Sequence, residues 1–501
     1  MNGNLYHLFQ SRFPKDRGRV FIELADGHTY SYADLEDISG RYACLLGELG
    51  VEKGDRVAVQ VEKSPEAVFL YLACLRAGAI YLPLNPAYTQ SEVGYFLGDA
   101  EPRVVVCQTE TEKAVTEVAR KAGVAHLLTL GQNNDGSLPT RARGLAPIEG
   151  CCAAEPDDVA AILYTSGTTG RSKGGMLTHR NLGSNAQALH ETWGFRPDDV
   201  LLHALPLFHT HGLFVATHCV LLNGTGMLFL PKFDAETVLR LLPRASVMMG
   251  VPTFYTRLLA RADFTAESCA HMRLFISGSA PLLEETFHEF QTRTGHTILE
   301  RYGMTETGMN TSNPLDGERR AGTVGFPLPG VEVRVCDDDG KPLEREEIGV
   351  LEVRGPNVFI GYWRMPEKTE AEIRPDGFFI TGDVGKIDAR GYVHIVGRAK
   401  DLIISGGFNV YPKEVELCID RIAGVAESAV VGVPHPDFGE AVTAVVKRTP
   451  KSATPSAEDV IARCKTELAN FKVPKQVHFV EDLPRNAMGK VQKNELRARF
   501  A

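Results

Sequence analysis

Val159-Ala160-Ala161-Ile162-Leu163-Tyr164 runs straight into Thr165-Ser166-Gly167-Thr168-Thr169-Gly170-Arg171-Ser172-Lys173-Gly174. A short apolar run bounded by turn residues reads as a buried strand, and the loop after it mixes glycines and hydroxyls with a lysine. Such a loop offers backbone N–H groups, hydroxyls and an ammonium to a polyphosphate. It is not a Walker loop, which needs Gly-Lys-Ser/Thr directly after its glycines; here Lys173 precedes Gly174 and no hydroxyl follows.

The same short runs recur on both sides. Arg56–Val61, Ala79–Leu84, Val104–Cys107, Val200–Ala204, Met227–Leu230, Ser246–Met249 and Leu274–Ser277 read as buried strands, with amphipathic helices over 30–49 and Ser64–Arg76. Strands alternating with helices predict βαβ layering and an α/β fold. From Gly322 to Arg398 the strands shorten and alternate among Gly and Pro, as in VEVRVCDDDGKPL, which predicts an antiparallel barrel or distorted sheet. After Gly397-Arg398-Ala399-Lys400-Asp401 the pattern restarts as a small α+β unit, with a helix over Pro412–Cys418 and strands at Glu427–Gly432 and Ala441–Val446. We therefore expect a large domain over 1–399 and a small one over 400–501, because 501 residues exceed one ordinary core.

Composition narrows the partners. The chain is 44% hydrophobic and 23% charged, as in soluble globular proteins, and its net charge of -9 offers no basic field for nucleic acid. The N-terminus lacks the basic-then-apolar order of a secretory signal. The most apolar stretch, Leu213–Pro231, is interrupted by His218 and by the Asn223-Gly224-Thr225-Gly226 turn, so it reads as a core helix and a strand, not a membrane span. Ten scattered cysteines, Cys151-Cys152 among them, suit idle thiols in a reducing cytoplasm.

Six further motifs follow the phosphate-type loop in order: Leu207-Phe208-His209-Thr210-His211-Gly212, Ser277-Gly278-Ser279-Ala280-Pro281, Glu300-Arg301-Tyr302-Gly303-Met304-Thr305-Glu306-Thr307, Phe379-Ile380-Thr381-Gly382-Asp383, Gly397–Asp401, and Pro484-Arg485-Asn486-Ala487-Met488-Gly489-Lys490. Together they resemble the acyl-adenylate-forming superfamily of acyl-CoA synthetases, adenylation domains and luciferases, over nearly the whole chain. Within it, LPLFHTHGLF, GVPTFYTRLL, RLFISGSAPL and ERYGMTETGMNTSNP are most similar to malonyl-CoA synthetases.

The resemblance implies ATP, Mg²⁺ and coenzyme A as cofactor and co-substrates, and residue roles to match. Thr165, Ser166, Gly167, Thr168, Thr169, Gly170 and Lys173 would hold the phosphates. Gly278-Ser279-Ala280 and Glu300-Arg301-Tyr302 would enclose the adenine, with Tyr302 stacked on it. Thr305 would meet the α-phosphate, Glu306 with Thr165 would hold the metal ion, and Asp383 assisted by Arg398 would take the ribose. Lys490 would bridge carboxylate and phosphate oxygens in the adenylation step. Lys400 would be the hinge on which a mobile C-terminal domain turns, bringing the Ser405–Asn409 loop to the site.

On the acyl side the resemblance gives Arg257 the substrate's distal carboxylate, a task suited to a planar, bidentate guanidinium. Thr253 is expected to cap its helix. His209 lies beside the acyl group, Ser277 and Met304 line the pocket, and His211 has no role. The implied substrate is a small dicarboxylic acid, malonate, with methylmalonate hard to exclude. A carrier-protein thiol as acceptor, a non-catalytic nucleotide-binding regulator and an oxygenase remain as rival readings. Acetylation of Lys490 by a protein acyltransferase would remove its charge. The oligomeric state is not legible.

Overall fold

The computed structural model describes residues 2–165, 172–405, 408–435, 438–449, 455–486 and 489–501. Its larger part carries two mixed sheets. One has nine strands; six of them, from Leu299–Met304 through Leu274–Ser277, Val247–Gly250, Val200–His203 and Gly226–Phe229 to Val20–Leu24, run parallel. The other has seven strands and is parallel through Val159–Thr165, Ile80–Pro83, Arg56–Gln60, Val104–Cys107 and His126–Thr129. These strands are buried almost throughout, which is why they read as unbroken apolar runs with little alternation. Val159–Thr165 turns back antiparallel on Lys173–Thr178, so both ends of the phosphate-type loop are anchored in one hairpin.

The stretch from Glu332 to Arg398 forms the expected antiparallel sheet, in the order Glu332–Cys336, Gly349–Arg354, Phe379–Ile387, Val393–Arg398. A further sheet then begins at Ile403–Ser405. It contains the long hairpin Val425–His435 and Gly439–Arg448, with Gln476–Val480 alongside and helix Pro412–Asp420 packed against it.

Two local expectations need correction. His218 does not interrupt the apolar run. It begins the helix His218–Asn223, is fully buried, and its Nε2 lies 2.8 Å from the Tyr71 hydroxyl. A π-helical stretch, His211–Thr217, leads into that helix. Thr253 is not a cap either: the helix Pro252–Leu259 is preceded by Val251 and opens on Pro252, whose fixed φ suits a first helical position and whose missing N–H costs nothing there. Among the described residues no helix is long and apolar enough to cross a membrane.

The antiparallel sheet is tied together by a buried carboxylate. Glu352 is wholly inaccessible and accepts from Arg334 Nη2 at 2.7 Å and Arg374 Nε at 2.9 Å. Truncating such a group leaves Arg374 without its carboxylate and Arg334 with Asp376 alone. Glu352→Ala should therefore lower unfolding stability by about 3 kcal/mol, seen as a lower urea midpoint at unchanged slope; an unchanged midpoint would show that solvent supports the two arginines.

Candidate active site

The centre of the site is the strand Leu299–Met304. It pairs in parallel with Leu274–Ser277, with Ser277 beside Glu300, and antiparallel with Gly308–Ser312. Side chains alternate across a strand, so Glu300 and Tyr302 share one face while Arg301 points to the other. Ser277, as the register partner of Glu300, lies on Glu300's side; its buried hydroxyl has no partner among the described residues.

On the Tyr302 face, the phenol donates to Asp383 Oδ2 at 2.5 Å. Asp383 and Arg398 are cross-strand partners, and Arg398 Nε lies 2.7 Å from Asp383 Oδ1. The preceding Gly382 has φ +70°, a left-handed turn that glycine tolerates. Burial, reinforced by Asp383, drives the Tyr302 pKa well above its ordinary value, so the phenol remains a donor. Burial works against the charge on Arg398, but Asp383, Tyr302 and Glu306 outweigh it and raise its pKa. Glu300 is buried with Oε1 accepting from the Leu282 N–H at 3.0 Å, while Oε2 has no partner among the described residues. Burial pushes its carboxyl up to about 8. The orphaned oxygen suits a donor such as an exocyclic amine.

Glu306 closes the phosphate end. It is buried, burial raises its pKa, and Oε1 lies 3.5 Å from Thr165 Oγ1 and 3.1 Å from the Tyr362 hydroxyl. Lys173 Nζ sits 3.2 Å from Glu372 Oε1 and 4.2 Å from the centre of the Tyr362 ring, and the Tyr362 hydroxyl gives 2.6 Å to Glu372 Oε2. Tyr362 and Glu372 are absent from the sequence reading; a lone tyrosine and a helix-end glutamate carry no motif, and only the fold brings them to Lys173. Ser166, Gly167, Thr168, Thr169 and Gly170 lie outside the described residues. Thr305 is half-buried between Met304 and Glu306. One buried carboxylate with a neighbouring hydroxyl fits a Mg²⁺ ion that takes its remaining oxygens from substrate and water. No cluster of three or more His, Cys, Asp or Glu occurs among the described residues to cage an ion without such help.

On the Arg301 face, Gly278 lies against the guanidinium. A Cβ built there would stand 2.4 Å from Arg301 Cζ, so glycine is required for the guanidinium to lie across the strand end. Ser279 follows with φ +71° and turns its hydroxyl to His211 Nδ1 at 3.2 Å. Burial, aided by Arg301 and then Lys490, lowers His209 to about 4, so its imidazole is neutral near pH 7.

Lys490 reaches this site from the C-terminal domain. The Lys490 N–H donates to Asn486 Oδ1 at 2.9 Å, and Arg485 Nη1 to Gly489 O at 2.7 Å, which holds Gly489 and Lys490. A Cβ on Gly489 would lie 3.0 Å from Thr253 Oγ1, so the loop rests on the start of helix Pro252–Leu259. The Lys490 amine is reachable through the cleft, yet protein crowds it enough for burial, then Arg398, to lower its pKa, with Asp383 opposing. Lys400 is exposed nearby; its neighbour Asp401 pairs with Arg497 at 2.6 Å. Arg257 is one turn beyond Thr253 on the same helix face. It is exposed, and no ion pair holds it among the described residues. Met304 packs at the edge of the largest core cluster.

The chain is 34% identical over 556 residues to a malonate–CoA ligase of Arabidopsis thaliana, covering 99% of this chain and 89% of that one. At the same identity it matches a long-chain-fatty-acid–CoA ligase of Yersinia pestis, over 95% and 91% of the two chains, so overall identity to these two does not select the acyl group. A crystal structure of ATP-bound MatB from Rhodopseudomonas palustris superposes with a TM-score of 0.97 at 57% identity, over 100% of this chain and 99% of that one. Residues 414–490 match the AMP-binding enzyme C-terminal domain. Residues 9–363 match the AMP-binding enzyme model. The two-faced strand, its carboxylate-anchored tyrosine and the lysine brought over them are thus those of a member of the AMP-binding enzyme family.

Proposed function

We propose that this chain is a malonyl-CoA synthetase, converting malonate, ATP and coenzyme A to malonyl-CoA, AMP and diphosphate through malonyl-AMP. The observation that carries the choice of acid is Arg257, an unpaired guanidinium on the helix face against which the Lys490 loop rests. The relatives named for malonate support the same choice. A fatty acyl tail would bury that cation without a partner, a costly arrangement.

In the first step a malonate oxygen attacks the α-phosphorus and the bond to diphosphate breaks. Two anions must approach, and Lys490, held beside Asp383 and Arg398, offsets their repulsion. Neutral His209 adds no competing charge and can donate to the reacting carboxylate. Asp383 assisted by Arg398 takes the ribose, Tyr302 stacks on the base beside Glu300, and Lys173 with Thr305 holds the phosphates. Mg²⁺ bound at Glu306 and Thr165 supplies charge neutralisation on the phosphates. In the second step the thiol sulfur attacks the acyl carbon, the thiol proton passes to solvent, and AMP leaves.

Residues 1–399 serve as the nucleotide and acyl domain and 400–501 as the domain that swings about Lys400. We place the enzyme in the cytoplasm, where its ten free cysteines would stay reduced. Methylmalonate fits the same pocket, since one methyl is worth only ~1–3 kcal/mol of discrimination. A protein acyltransferase that modified Lys490 would switch the first step off by removing its charge.

Three outcomes test this. Lys490→Ala should slow malonyl-AMP formation roughly 100- to 1,000-fold yet convert supplied malonyl-AMP to malonyl-CoA within a few-fold of wild type; equal damage to both steps would remove Lys490 from the chemistry. Lys400→Pro fixes φ at the joint and should impair one half-reaction far more than the other in single-turnover assays, whereas survival of both would move the hinge elsewhere. Arg257→Ala should cut malonate kcat/KM by about 30-fold to several thousand-fold, the equivalent of ~2–5 kcal/mol, with the ATP KM nearly constant. A malonate-to-propionate ratio unchanged from wild type would sink the assignment of Arg257.

A further inference from the structure

Lys63 and His203 form a buried polar pair that the proposed mechanism leaves unused. Lys63 lies between strand Arg56–Gln60 of the seven-stranded sheet and helix Pro65–Ala77, and His203 ends strand Val200–His203 of the nine-stranded sheet. The lysine is 8% exposed and the histidine 1%. Lys63 Nζ stands 2.9 Å from His203 Nδ1, 2.9 Å from the His203 carbonyl oxygen and 4.2 Å from the centre of the Phe229 ring. No carboxylate among the described residues lies near enough to support its charge, and burial lowers its pKa well below the ordinary lysine value. A methionine would fill the same volume without the desolvation penalty, so the amine has another task.

The far side of the imidazole shows that task. His203 Nε2 lies 2.9 Å from Gly212 O and 3.2 Å from Thr217 Oγ1. A carbonyl oxygen can only accept, so Nε2 carries the hydrogen and Nδ1 of the neutral ring is an acceptor. Lys63, donating to Nδ1, holds that tautomer. Burial, then Lys63, lowers the His203 pKa well below its ordinary value and keeps the ring neutral. Gly212 O belongs to the planar peptide group shared with Leu213, whose N–H donates to His209 O at 3.1 Å. One rigid unit therefore joins His203 to the backbone of His209. Gly212 is also pressed against the preceding chain, since a Cβ there would stand 2.0 Å from Pro206 O. From His209 the line continues into its own ring: the His211 N–H donates to His209 Nδ1 at 3.3 Å, which leaves the ring proton on Nε2.

We propose that Lys63 and His203 are positioning residues for the adenylation step. Lys63 fixes the His203 tautomer, His203 fixes the Gly212–Leu213 peptide, and that peptide sets where His209 presents its Nε2–H to the reacting carboxylate. This rests on the role given to His209 in the proposed mechanism.

Lys63→Met keeps the volume and removes the donor. The rate of malonyl-AMP formation at saturating malonate and ATP should fall roughly 10- to 100-fold, with the ATP KM within about threefold. Glutamine places an amide N–H where the imidazole has Nε2–H, whatever stands at position 63. Adding His203→Gln should therefore restore most of the rate lost in Lys63→Met. Asparagine reaches only the place of Nδ1, and His203→Asn should restore nothing. In a His209→Ala background Lys63→Met should slow the step less than about twofold further, because the pair acts through that residue. Should Lys63→Met fail to fold, His203→Gln near the wild-type rate and His203→Asn well below it would carry the same conclusion in the otherwise unchanged chain. A wild type that forms no malonyl-AMP would sink the substrate reading, and the comparison then runs on the acid it does activate. A wild-type rate in Lys63→Met, no rescue by His203→Gln, or a fully additive loss in the His209→Ala background would each overturn the positioning role alone.

Discussion

The period-two alternation of a single strand, Leu299–Met304, is the constraint on which the site depends. Because successive side chains must leave opposite faces, Glu300 and Tyr302 point one way and Arg301 the other, and one backbone serves as the wall between two pockets. Its parallel partner, Leu274–Ser277, repeats the division: Ser277 stands with Glu300, and Gly278 yields to Arg301. The reacting groups must meet at the end of this wall, where the strand gives way to Thr305 and Glu306. A shift of one residue in register would exchange the two faces, and the strand is clamped on both edges by Leu274–Ser277 and Gly308–Ser312.

Charge in the site is divided according to whether it is already matched. Arg398 is held by Asp383, and Lys173 by Glu372, so these cations are oriented before anything binds. Lys490, Arg257 and Arg301 have no such carboxylate among the described residues. Of these, Arg257 and Lys490 are exposed and solvated, while Arg301 is buried, where leaving a cation unmatched is costly. The matched set fixes geometry; the unmatched set supplies affinity for a substrate that brings several negative charges. Lys490 differs from the others in arriving on the C-terminal domain; in the proposed mechanism its charge is present for one chemical step and withdrawn for the other.

Much of this was legible in the sequence. Val104–Cys107 and Leu274–Ser277 were bounded correctly because fully buried parallel strands leave a continuous apolar run between turn residues. Boundaries slipped where the deciding contact is tertiary. His218 looks like an interruption because composition shows its polarity but not Tyr71, which satisfies it. Thr253 looks like a cap, whereas Pro252 sets the first turn by its own ring. Tyr362 and Glu372 reach Lys173 from far along the chain, and no spacing announces that. Arg301 shows what a contiguous motif leaves unsaid: alternation along the strand sends it to the face opposite Glu300 and Tyr302, where it meets Gly278.

The contact between Gly278 and Arg301 also has a historical reading. Since a methyl at position 278 and a guanidinium at position 301 cannot occupy the same space, the two positions are not free to vary independently. A descendant lineage that enlarged residue 278 first would carry a displaced, buried cation, whereas one that gave up the arginine first would pass through a pocket that is empty but neutral. Change at this pair is therefore a path with a preferred order of steps, and chains on this scaffold that bear a side chain at the first position should have lost the arginine at the second.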